Sequence, residues 1–189
     1  THPMPLNTMK NIAATALLAC TTGLFVPASA HVVLEYQVAP AGASYKASFK
    51  VGHGCGASPT RQIAVDIPAG MRGARPMPKP GWTLEVQRDT LAQPTTSHGR
   101  SITEDVVRVT WTAKTPQDML PGAHYDEFVL VAQAPEQAGT LYWPVRQTCA
   151  EGRNDWVERP KAGQKPSDLK FPAAALEILP AGGAAAHHH

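Results

Sequence analysis

The stretch Ser44-Tyr45-Lys46-Ala47-Ser48-Phe49-Lys50-Val51 decides the fold class. Tyr45, Ala47, Phe49 and Val51 alternate with Lys46, Ser48 and Lys50. Successive side chains of an extended strand point to opposite faces, so the first set predicts a buried face and the second a wet one. The same period recurs on both sides of this stretch. Ile63, Val65 and Ile67 alternate within 62–67, Trp82, Leu84 and Val86 within 82–86, and Val107, Val109 and Trp111 within 106–112. Segments 32–38, 128–132 and 141–145 read as further short strands, and 173–179 as a closing strand or a short helix. Between them, 70–81 reads as a long ordered loop or irregular edge, 92–100 as a polar loop and 160–166 as a polar connection. With 18 prolines and 15 glycines spread along 189 residues, long helices are disfavoured and an all-β antiparallel sandwich or barrel is expected.

Composition narrows the function classes. The hydrophobic share of 43% supports a packed core. Seventeen basic residues against 15 acidic ones leave a net charge of +2, too little for a nucleic-acid binder that works by bulk charge. No nucleophile elbow, phosphate loop or dinucleotide fingerprint occurs, so the reading is a non-enzyme.

Residues 1–30 read as an N-terminal extension and a secretory signal. Lys10 precedes an apolar run over 12–26, which ends in Pro27-Ala28-Ser29-Ala30. Such a run is short for a membrane span and fits cleavage after Ala30. Leu17-Leu18-Ala19-Cys20 offers a rival lipoprotein-like processing site. A periplasmic or secreted protein without a stable membrane span is expected. Cleavage would remove Cys20 and leave Cys55 and Cys149, which in an exported chain predict one disulfide. Residues 180–189 read as a tail ending in a tag-like run of histidines, His187-His188-His189.

His31 is the most informative single residue. As a new N-terminus it would carry a free α-amine beside its own imidazole, and the two nitrogens can grip one metal in a six-membered ring. The amine titrates near pH 8, so a metal can displace its proton at neutral pH. Nitrogen donors in fixed geometry suit Cu(II), which heads the divalent series. Further ligands could come from Glu127, Asp126, His124, His53 or His98, and Met71 or Met77 could serve Cu(I). Each also has a plain structural reading: His53 in a turn beside a disulfide, His98 in a solvated loop, and the methionines tucked against the core.

A series of pieces then points to a family. His31-Val32 opens it, followed by Ala41-Gly42-Ala43-Ser44-Tyr45, Pro78-Lys79-Pro80-Gly81-Trp82 and Val109-Thr110-Trp111-Thr112-Ala113. Glu127-Phe128, Gln147-Thr148 and Asp155-Trp156-Val157 complete it. In this order they resemble the YcnI-like copper-binding domains, over most of 31–179. The resemblance implies an immunoglobulin-like β-sandwich holding one Cu(II) in a mono-histidine brace. It implies His31 as the source of amine and imidazole nitrogens, Glu127 as the completing carboxylate and Trp156 as the indole beside the metal. An indole N–H is a poor ligand, so Trp156 would shape and shield the site. Many relatives carry a C-terminal membrane anchor, and a freely diffusing periplasmic protein is expected here. The expected function is to buffer or deliver copper, with another periplasmic copper-trafficking protein as a partner. The alternatives are a copper-dependent oxidoreductase using His124 as a second brace histidine, and a metal-free envelope interaction domain in which His31 is unimportant.

Overall fold

A computed structural model describes residues 31–97 and 99–182. The predicted signal segment, Cys20, His98 and the histidine tail lie outside the described residues.

The chain forms twelve strands and two single-turn 3-10 helices among the described residues. They are β1 (Val33–Leu34), β2 (Val38–Pro40), β3 (Ser44–Val51), β4 (Thr60–Asp66), β5 (Arg72–Pro76) and β6 (Trp82–Ser97), then β7 (Arg100–Ala113), β8 (Asp126–Gln133), β9 (Gly139–Trp143), β10 (Val145–Cys149), β11 (Arg153–Trp156) and β12 (Ala174–Leu179). One sheet runs β1-β3-β8-β5 and the other β11-β10-β4-β7-β6. A third, β2-β12-β9, adds to the sandwich. Pairing is antiparallel except between β12 and β2, which run parallel.

The buried half of the 44–51 alternation is as its period predicts; on the other face Lys46 is exposed and Lys50 half-buried, but Ser48, expected to be wet, is 2% exposed. Tyr45, Ala47, Phe49 and Val51 are all buried, and Phe49 meets Trp143 edge to face with ring centroids 5.5 Å apart. The opposing sheet contributes Ile63, Val65, Val109, Trp111 and Val145, each fully buried. Trp111 and Trp82 both pack on the Phe128 ring. This inner layer removes large apolar side chains from water, each worth about 1.5–3 kcal/mol. In the middle of the second sheet Asp66 ties three strands together, accepting from Arg108 Nε and Arg146 Nη1 at 2.5 Å each.

Several expectations are corrected at their edges. The polar segment 92–100 is strand rather than loop: β6 runs to Ser97 and β7 starts at Arg100, forming one long hairpin. Polar residues on both faces hid it, because an overhanging hairpin buries little and shows no apolar period. Segment 70–81 contains the edge strand β5, whose register against β8 shifts between Arg72 and Arg75. Segment 32–38 divides into β1 and β2, and 141–145 divides at Pro144, which cannot donate to a ladder. Segment 173–179 is strand, not helix.

Candidate metal centre

One lateral edge of the sandwich brings β1 and β11 together, each the outermost strand of its sheet. His31 lies two residues before β1, and its ring packs edge-on to Trp156 at 5.6 Å between centroids. Trp156 ends β11 and is 3% exposed. It points inward because it pairs with Val145, which pairs in turn with Val65, and both are fully buried. His53 packs against the same indole at 5.8 Å, and Phe171 does so at 5.3 Å. Two imidazoles therefore flank one buried tryptophan.

A buried amide holds this arrangement. Gln147 is fully buried in β10. Its Oε1 accepts from Trp156 Nε1 at 3.1 Å and from Asn154 Nδ2 at 3.4 Å. Its Nε2 donates to the His53 carbonyl at 2.7 Å and to Thr60 Oγ1 at 2.8 Å. A buried amide that meets its partners costs little, and one stripped of them costs 1–3 kcal/mol per orphaned group. The residue was quoted for its family resemblance alone. Its role had a signal, since Val145, Gln147 and Cys149 alternate as an inward face in which Gln is the one polar member.

The turn that carries His53 is fixed twice over. The disulfide Cys55–Cys149, predicted from cysteine parity, is formed with a Cα–Cα distance of 6.0 Å. Cys55 and Ser58 exchange backbone hydrogen bonds. A Cβ on Gly54 would lie 1.9 Å from the Ser58 carbonyl, so only glycine fits there. The His53 ring nitrogen Nδ1 lies 2.5 Å from the Gly54 carbonyl, which directs Nε2 away from the turn.

Glu127 occupies the outer face of the first sheet, opposite in direction to Phe128, as strand alternation requires. Lys50 pairs with Glu127 on one side and with Val33 on the other. Ser48 Oγ donates to Glu127 Oε2 at 2.6 Å, and the Tyr125 hydroxyl donates to Oε1. These two hydrogen bonds, Ser48's the stronger, hold the carboxyl below its ordinary value. The shared bond pushes the Tyr125 hydroxyl up to about 12. Glu127 is thus ionised at neutral pH, and a carboxylate keeps lone pairs for further partners. Val33, Lys50 and Glu127 thus form one row across β1, β3 and β8, and just past the end of β3 the space over Gly52 is open, because a Cβ there would meet nothing within 4 Å.

The remaining candidates are dispersed. His124 is an exposed loop residue whose backbone N–H donates to Pro121. Asp126 pairs with Lys79 at 2.6 Å. Met71 is 5% exposed within the core, its structural reading, and Met77 is 53% exposed. No cluster of three or more His, Cys, Asp or Glu side chains suited to a metal occurs among the described residues.

With Cys55 and Cys149 in a disulfide, the donor atoms these residues offer are the imidazole nitrogens of His31 and His53 and the carboxylate oxygens of Glu127. The indole nitrogen of Trp156 is engaged by Gln147, which leaves its ring to act as a wall.

Fold and edge together define an immunoglobulin-like β-sandwich with an aromatic, histidine-bearing margin. The chain belongs to the family described as a domain of unknown function, DUF1775, which matches residues 31–178 and is the family that includes YcnI. It is similar to an uncharacterized protein from Nocardia farcinica whose crystal structure is described as revealing an immunoglobulin-like fold. The two are 25% identical with a TM-score of 0.61, over 78% of this chain and 97% of that one. No curated protein matches the chain significantly. No helix among the described residues is long and apolar enough to cross a membrane.

Proposed function

We propose that this protein, after cleavage following Ala30, is an exported periplasmic copper carrier. His31 supplies the α-amine and an imidazole nitrogen, Glu127 supplies a carboxylate oxygen, and Trp156 walls the site. Bound there, copper would be held for transfer, and the protein would buffer it or hand it to a partner. The observation that carries this reading is the His31 ring seated on the buried Trp156 indole. Two further observations support it: the family match begins at His31, and Ser48 and Tyr125 both donate to the Glu127 carboxylate and fix its direction.

Each residue has a separate task. His31 offers two nitrogens from one residue, so little conformational freedom is lost on binding. Glu127 balances positive charge in an orientation fixed by Ser48 and Tyr125, a supporting shell of the kind that tunes metal sites. Trp156 excludes water on one side and lowers the local dielectric.

The test is a Cu(II) titration followed by electron paramagnetic resonance. Protein beginning at His31 is expected to give a single type-2 signal with nitrogen coupling. The same protein with one added N-terminal residue is expected to lose or alter it, because the α-amine becomes an amide. Identical spectra from the two forms would exclude the brace and point to other ligands such as His53, and no specific signal from either form would favour a metal-free interaction domain.

A further inference from the structure

The opposite lateral edge holds a second feature that the copper reading does not use. There the long β6–β7 hairpin overhangs the edge strand β5 and encloses a cleft of about 520 Å³. That volume lies in the range of small-molecule sites. Three arginines line it from two walls: Arg72 and Arg75 from β5, and Arg88 from β6.

None of the three forms an ion pair among the described residues. The arginines that form ion pairs are Arg108, Arg146 and Arg153 instead. Two carboxylates also line the cleft, and one is already committed. Asp105 is 7% exposed. It accepts from the Gly73 N–H at 2.9 Å and from its neighbour Val106 N–H at 2.7 Å. Those bonds pin the hairpin to β5, and no ion pair joins Asp105 to the three arginines among the described residues. Glu104 is exposed on the hairpin wall, where it can accept from a hydroxyl or ammonium group.

We propose that this cleft binds a small polyanion, a molecule with two or more carboxylate or phosphate groups, through Arg72, Arg75 and Arg88. Guanidinium forks match carboxylate and phosphate geometry and stay charged at all relevant pH values. Arginines on separate walls select for several anionic groups over one. An extended acidic peptide is the less suited ligand. Adding a strand to β5 needs free main-chain donors, but the Gly73 N–H is taken by Asp105 and Pro76 has none.

The experiment is calorimetric titration of metal-free protein with citrate, inorganic phosphate and acetate at constant ionic strength. Citrate is expected to bind saturably with a stoichiometry of one, and acetate not to. Phosphate binding as tightly as citrate would assign the site to phosphate esters, and weaker phosphate binding to polycarboxylates. Arg75→Gln and Arg88→Gln are each expected to weaken citrate binding about tenfold, in line with a lost charge-assisted hydrogen bond. Arg159→Gln, a residue stacked on Tyr142 away from the cleft, is expected to leave it unchanged. Either substitution leaving citrate affinity intact in folded protein would overturn the proposal, as would equal binding of citrate and acetate. The readout contains no copper, so its failure is separate from failure of the brace.

Discussion

The two lateral edges of this sandwich are built by opposite means. At the β1–β11 edge the side chains are aromatic rings, imidazoles and one buried amide, fixed by a disulfide and by hydrogen bonds from Gln147. At the β5–β6 edge they are arginines, exposed at Arg75 and Arg88 and half-buried at Arg72, on a hairpin and an irregular strand pinned through Asp105. The first edge is cross-linked and built on a buried indole and a buried amide, with the Glu127 carboxylate beside them, which holds its side chains in fixed geometry. The second is permanently charged and open, which suits ligands held by charge at looser tolerance. One fold thus presents two different side-chain chemistries by changing what lies at its outermost strands.

Removing the disulfide is the strongest way to break this contrast. Cys55→Ser with Cys149→Ser opens a loop with a sequence separation of 94. The expected loss is about 4–5 kcal/mol of unfolding free energy, read by denaturant titration. Citrate binding at the far edge of the protein that remains folded is expected to persist. A stability change under 1 kcal/mol would mean that the turn is held by Gln147 and Gly54 alone.

Gln147→Leu sharpens the comparison next. It orphans the Trp156 N–H and the His53 carbonyl together, and about 3 kcal/mol is the expected loss. Its signature is local: near-ultraviolet circular dichroism of the tryptophans should change while citrate binding does not.

The smallest effect falls between the edges. Burial raises the Asp66 carboxyl, but hydrogen bonds from Arg108 and Arg146 outweigh it and leave the folded value lowered. A group lowered on folding adds stability above its unfolded value, near pH 4, and loses it as pH falls through the folded value. Asp66→Asn should therefore cost about 1 kcal/mol at pH 7. The difference from the parent should shrink as pH falls from about 4 toward 2, read from unfolding midpoints across that range.

The fold was legible where one face of a strand is buried. The 44–51 stretch and the Ile63-Val65 and Val109-Trp111 alternations each identified their strands, because burial imposes a period of two. The far halves of β6 and β7 were not legible, since neither face there is deeply buried. Among site residues, His31 and Trp156 were named and are in contact. Glu127 was among the candidate ligands read from the residues, whereas Trp156 was named through family resemblance alone; the position of Glu127 beside Ser48 depends on pairing 79 residues apart, which local pattern does not encode. The convergence of His53 on the same indole was equally invisible, for it arises only when the turn closes on Gln147.

The disulfide has one more consequence. The hairpin over Trp82–Ala113 lies wholly between Cys55 and Cys149, so the arginine-bearing strands sit inside a closed covalent ring. Hairpin tips are where proteases nick folded domains. A cut there opens the ring without releasing a fragment, and both new ends stay tethered to one molecule. The edge that is loosest in structure is therefore protected in connectivity by the edge that is tightest.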